Sequence, residues 1–229
     1  MFGSLFGSNR KDGPSAPFHR PYQDQTADFL YNLLFCDNPD LFRNESQVFR
    51  NESQVSSPLA SVLSDTATHE MLETIAGDTA VESRVRILAF NRLRAMKRPV
   101  PARQLLGTII EFPQHDGLDT LAAFADGRVR YINQTGHPGI FEGAPPDVVA
   151  RANELMRVSQ FAVDRHGPSD EPQRPPPDGD MVRLSFLVSD GTYIGEGSYE
   201  GLMADPVGGA VLTAGGELLV RLVDTVVET

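Results

Sequence analysis

The feature that most constrains this chain is a change of hydrophobic period near residue 104. Before it, apolar residues recur three and four apart, the spacing of one helix face. After it they alternate, or run in short β-branched blocks, as strands do. A wound parallel α/β fold would need helices and strands to alternate along the chain. Helices first and strands later read instead as α+β.

The helical region spans residues 23–103, behind a tail at 1–22 (MFGSLFGSNR, then Pro14, Pro17 and Pro21) that is expected to be flexible. QTADFLYNLLFC at 25–36 reads as a helix ended by Asp37-Asn38-Pro39-Asp40. Cys36, the single cysteine, reads as a small buried apolar residue. Residues 42–55 are two identical copies of FRNESQV, too short for a solenoid and expected as a surface loop or a short helical extension. Further helices are expected at 58–64, at 66–76 and at 79–97, where Pro99 and Pro101 stop the last one.

Residues 104–229 read as a sheet region. LLGTIIEF at 105–112 is β-rich, and Asp126-Gly127 links the strands 119–125 and 128–133 as a hairpin. Pro145-Pro146-Asp147 opens a helix over 146–163, whose Val148, Ala152, Leu155, Met156 and Phe161 are expected to face the sheet. RHGPSDEPQRPPPDGD at 165–180 is a Pro-rich linker. Met181 to Val188 alternates cleanly, and Asp190-Gly191 turns into Thr192-Tyr193-Ile194. Ala210 to Val227 carries Glu217, Arg221 and Asp224 on one face and Val211, Leu218 and Leu222 opposite, so it reads as a helix. The expected architecture is a helical N-terminal region, then an antiparallel sheet of about five strands with helices packed on one face. The paired Asp-Gly and Tyr-Ile motifs hint at an internal duplication.

The stretches PLASVLSDTA, VRILAFNRLRA, LLGTIIE, GLDTLAAFADGRVRYINQTG and DPVGGA together resemble a family of uncharacterised bacterial proteins. The resemblance covers roughly residues 58–213. It implies a bacterial, cytoplasmic, globular protein and carries over no activity, cofactor or catalytic residue.

Charge narrows the function classes. The net charge of -11 divides into -7 over residues 1–83, +7 over 84–103 and -11 over 104–229. An acidic chain argues against general nucleic-acid binding. One thiol excludes a disulfide framework, and no apolar run reaches the ~18 residues of a transmembrane helix. P-loop, GxGxxG, GxSxG and HExxH patterns are absent from the sequence. No catalytic, cofactor or metal residues are assigned. His69 with Glu70 and Glu73, or His115 with Asp116 and Asp119, come nearest to a metal set, and both read as solvated.

Two groups of residues remain as a candidate partner or ligand surface. The first is the basic helix: Arg84, Arg86, Arg94, Lys97 and Arg98. The second lies on turns at the ends of strands: Asp116, Asp119, Asn133 and His137, with Tyr193 and Glu196 from the second half. The expected function is a non-catalytic, soluble protein-interaction or regulatory module whose partner is another protein. The alternative is an enzyme or small-molecule binder with a carboxylate-rich loop site.

Overall fold

The computed structural model describes residues 17–48, 57–115, 117–141, 144–169 and 175–227. Five helices come first: α1 (Gln25–Leu34), α2 (Pro39–Val48), α3 (Ser57–Leu63), α4 (His69–Gly77) and α5 (Ser83–Ala95). Then follow β1 (Leu105–Gln114), β2 (Gly117–Phe124), β3 (Val129–Ile132), β4 (Pro138–Phe141) and α6 (Pro146–Arg165). The chain closes with β5 (Met181–Val188), β6 (Gly191–Ser198), α7 (Tyr199–Ala204) and α8 (Pro206–Val227). The strands form one antiparallel sheet in the order β4-β3-β2-β1-β5-β6.

The α+β class read from the sequence is what the chain adopts, with a sixth strand in β4. The C-terminal helices α6 and α8 lie together on one face, buried against Ile110, Leu121, Leu184 and Phe186. The opposite face, towards which Leu106, Ile109, Ala122 and Leu187 point, is covered by the N-terminal helices. Three layers result, with a core on each side of the sheet. Burial on both faces explains why β1 is buried from Leu105 through Glu111 and reads as a continuous apolar run.

Local chemistry sets the element ends. Asp24 caps α1 by accepting from the Ala27 N–H at 2.9 Å, and Thr68 caps α4 through Met71. Gly127 takes a φ of 81° in the β2–β3 turn, a conformation open to glycine. Gly215 of α8 faces β1 where a Cβ would collide with the Ile110 side chain, so the glycine lets this helix seat on the sheet. Two ion pairs, Arg151–Glu217 and Asp147–Arg221, set α6 and α8 antiparallel.

Three expectations change. Residues 17–22 of the expected tail are docked on α1: His19 and Asn32 exchange two hydrogen bonds, and the Tyr22 N–H donates to Asp28 at 2.9 Å. Residues 1–16 lie outside the described residues, as does the second copy of the duplicated heptad; the first copy ends α2. Phe161 does not face the sheet but is 49% exposed, because Val158 and Ala162 fill the inward positions around it. Pro206–Asp224 is, by length and composition alone, apolar enough to cross a membrane, with a mean hydropathy of 1.3. Here 44% of it is buried within the fold.

A polar row crosses the sheet beneath the helical layer. Thr120, Glu111, Arg183 and Glu196 are successive cross-strand partners on β2, β1, β5 and β6. The Tyr22 hydroxyl lies 2.8 Å from Thr120 Oγ1, and the Tyr31 hydroxyl donates to Glu111 Oε1 at 2.6 Å. Arg183 Nε donates to Glu196 at 2.6 Å, and its Nη1 lies 4.0 Å from Glu111 Oε2 and bonds Pro175 O. Glu111 is fully buried and its Oε2 has no hydrogen-bond partner. Burial therefore pushes its carboxyl up to about 7, against the lowering effect of Tyr31 and Arg183.

A pH dependence follows. The folded pKa of Glu111 lies above the unfolded value of ~4.3, so its contribution to stability is fully present below ~4.3 and is lost as pH rises through about 7. Asp37, raised to about 6 by burial, acts with the same sign at lower pH. We expect thermal stability to fall between pH 5 and 8.5 by on the order of 3 kcal/mol. Glu111→Gln should flatten the part of the curve above pH 6 in melts followed by circular dichroism.

Candidate functional site

The basic helix α5 is turned inward. Arg84 and Arg86 are buried, Arg94 is half-buried, and Lys97 and Arg98 are exposed. Arg84 pairs with Glu82 at 2.6 Å and lies over the Phe42 ring. Arg86 Nε donates to Ala76 O at 2.9 Å, in the last turn of α4. Arg92 donates to Val62 O and Ser64 O at the end of α3, where Arg43 also reaches Leu63 O at 2.8 Å. Arg94 Nη1 bonds Ser189 O at 2.8 Å, in the β5–β6 turn. The guanidinium groups of Arg43, Arg86 and Arg92 satisfy carbonyls that the ends of α3 and α4 leave open, at the negative pole of each helix. Burial lowers the pKa of Arg86 and Arg94 from the ordinary arginine value. At the far end, Arg98 makes a loose 3.7 Å contact with Glu73 between two exposed side chains.

The turn residues of the first half gather at one end of β2, β3 and β4. Asp119 accepts from the Tyr131 hydroxyl at 3.0 Å and from the Gln134 N–H at 2.8 Å. Burial and the neighbouring Asp119 raise the Tyr131 phenol. Asn133 Oδ1 accepts from the Thr135 and His137 N–H groups, and His137 Nδ1 lies 2.7 Å from Thr135 Oγ1. These bonds hold the 133–137 turn together. Asp116 lies outside the described residues.

Tyr193 and Glu196 belong elsewhere, on β6, across β1 and β5 from that turn. The Tyr193 hydroxyl donates to Asp190 at 3.2 Å, while Glu196 holds Arg183 on the other face. The two halves of the expected loop site are therefore separate. Among the described residues, no cluster of three or more His, Cys, Asp and Glu side chains could hold a metal ion.

Tyr193 and Glu196 do border a cavity of about 220 Å³ on the α6–α8 side. It is lined by Leu184, Phe186 and Tyr193 of the sheet and by Leu202, Val207 and Val211 of α7 and α8, and it opens to solvent. Ala162 and His166 of the α6 end, with Asp205, complete it. His166 and Asp205 gave no recognisable pattern in the sequence, because each acts at a helix end fixed by tertiary packing. Glu111 did leave a trace: a carboxylate between Ile110 and Phe112 in an otherwise apolar strand.

The outer surface of the same layer is apolar in places. Among the described residues, Phe161, Tyr199, Met203, Val220 and Val223 of α6, α7 and α8 are at least 40% exposed. Arg157 and Arg165 stand over the Phe161 ring at 5.7 and 5.9 Å from its centroid.

Truncating the inward arginines separates structural from surface cations. Arg92→Met should cost roughly 1.5–3 kcal/mol, the worth of hydrogen bonds to a charged group, as buried carbonyls lose their donor. Lys97→Gln and Arg98→Gln should stay within about 0.5 kcal/mol of the parent. Urea denaturation at one pH measures all three.

No model of a known protein family, no curated protein and no solved structure matches this chain.

Proposed function

We propose that this protein is a non-catalytic protein-interaction module that docks its partner through the outer layer of α6, α7 and α8. One observation carries the reading: Phe161, half exposed, sits between the guanidinium groups of Arg157 and Arg165. Aromatic and arginine side chains dominate the residues that anchor interfaces. A large apolar ring held in water by two cations is a poor surface for an isolated protein and a good one for a partner.

The chemistry favours a partner with an apolar socket edged by carboxylates. Arg157 is already paired with Glu154 at 2.6 and 2.8 Å. Among the described residues, Arg165 donates only to Phe161 O, at 3.3 Å, and keeps donors for a partner carboxylate. The basic helix α5 acts in this reading as an internal clamp rather than a docking patch, and the acidic remainder of the surface gives nucleic acid little purchase.

The test places a photo-crosslinking amino acid at position 164, beside Phe161, in cells of the native host. The expected result is one discrete adduct, reduced about tenfold or more by Phe161→Asp while the melting temperature is unchanged. The same probe at position 71, on the opposite layer, should leave no such adduct. Equal labelling at both positions, or none at 164, would overturn the reading.

A further inference from the structure

We infer that the cavity between α6, the α7–α8 corner and β5–β6 is a binding site for a small apolar amine, of the size of an arylalkylamine. This site is independent of the Phe161 surface, and its test does not depend on a protein partner.

Size and lining set the body of the ligand. An apolar cavity of ~150 Å³ suffices to hold a benzene ring, and this one is about 220 Å³. Its inner walls are the side chains of Leu184, Phe186, Val207 and Val211 and the ring of Tyr193. The Tyr193 hydroxyl is engaged by Asp190, so the phenol brings no polar group to this space. A phenyl ring laid against this lining would recover contacts with the leucine, phenylalanine and valine side chains.

The polar groups bordering the cavity set the head of the ligand. His166 Nδ1 lies 2.8 Å from Ala162 O. A carbonyl only accepts, so Nδ1 carries the hydrogen, and in that tautomer of the imidazole the lone pair is on Nε2. Asp205 Oδ1 accepts from the Val207 and Gly208 N–H groups at 2.9 and 2.7 Å, which leaves Oδ2 of an acceptor-only carboxylate. The C-terminal pole of α6 at His166 adds negative partial charge. The positive pole of α8 is already met by Asp205. Acceptors and negative charge select a donating, cationic head and disfavour a carboxylate of the same shape.

The experiment titrates phenethylamine and, separately, 3-phenylpropionate into the full chain, with NMR following the His166 and Tyr193 ring signals. Phenethylamine should bind saturably, with nuclear Overhauser contacts from its ring to the Val207 and Val211 methyl groups. Asp205→Asn should weaken it severalfold, and Ala162→Phe, which fills the cavity, should weaken it at least tenfold. The methyl contacts decide the location even where Ala162→Phe lowers stability. Absence of saturable binding overturns the site. Equal binding of phenylpropionate overturns the assignment of the head group, and saturable binding without the valine contacts overturns the location.

Discussion

The contact between Tyr31 and Glu111 is the constraint on which the rest of the structure depends. Glu111 sits on β1, the strand that joins the two halves of the sheet, and nothing of it reaches solvent. A carboxyl there is tolerable only while α1 delivers the Tyr31 hydroxyl and β5 delivers Arg183. Slipping β5 by one residue would turn Arg183 to the other face and leave both charged groups stranded. Arg183 in turn gathers Glu196 on β6 and the Pro175 carbonyl of the Pro-rich segment. One buried row thus fixes which helix lies on which strands, a specificity that apolar packing alone would leave looser.

The arginines of α5 extend the same logic from side chains to backbone. The charge asymmetry was visible in the sequence, as a +7 segment within an acidic chain. Its use was not, because the partners are main-chain carbonyls of α3, α4 and the β5–β6 turn, which carry no mark in the residue pattern. A helical wheel assumes one buried face. Here α5 lies between α3 and α4 on one side and β1 on the other, so Arg84 and Arg86 are enclosed with Val85 and Ile87. Asp126 hides a similar role. It read as a turn residue, yet its carboxylate accepts from the Ser83 N–H at 2.7 Å and its own N–H donates to Ser83 Oγ at 3.1 Å, so it closes the start of α5.

Legibility followed the kind of interaction. Elements with a clean period were readable: the strand Met181–Val188 has the bounds its alternation implied, and the helix begun at Pro146 has only a longer end. The covering of the second sheet face was not, since a strand buried on both sides loses its alternation. The candidate site was less legible still. Turn residues such as Asn133 and Asp119 have the composition of a ligand site, but their hydrogen-bond capacity is directed to their own loop. The groups that border the cavity are ordinary in sequence and acquire meaning only from the helix ends they occupy.

The topology also accounts for where that cavity lies. Two hairpin-plus-helix units, β1–β2 with α6 and β5–β6 with α8, meet through antiparallel β1 and β5, in the manner of an approximate twofold. The Asp-Gly turns that hinted at duplication are not equivalent under it, because Asp126 follows β2 whereas Asp190 follows β5. The halves differ in what comes after the hairpin. In the first, β3 and β4 continue the sheet; in the second, β6 is the edge and the chain turns into α7. An open edge invites pairing with other chains. Here the Ser169 N–H bonds Thr192 O at 2.8 Å, and Glu196 places a charge on the strand. The short α7 packs in the helix layer against β5, β6 and α8, and its Leu202 lines the cavity together with Tyr193 of β6.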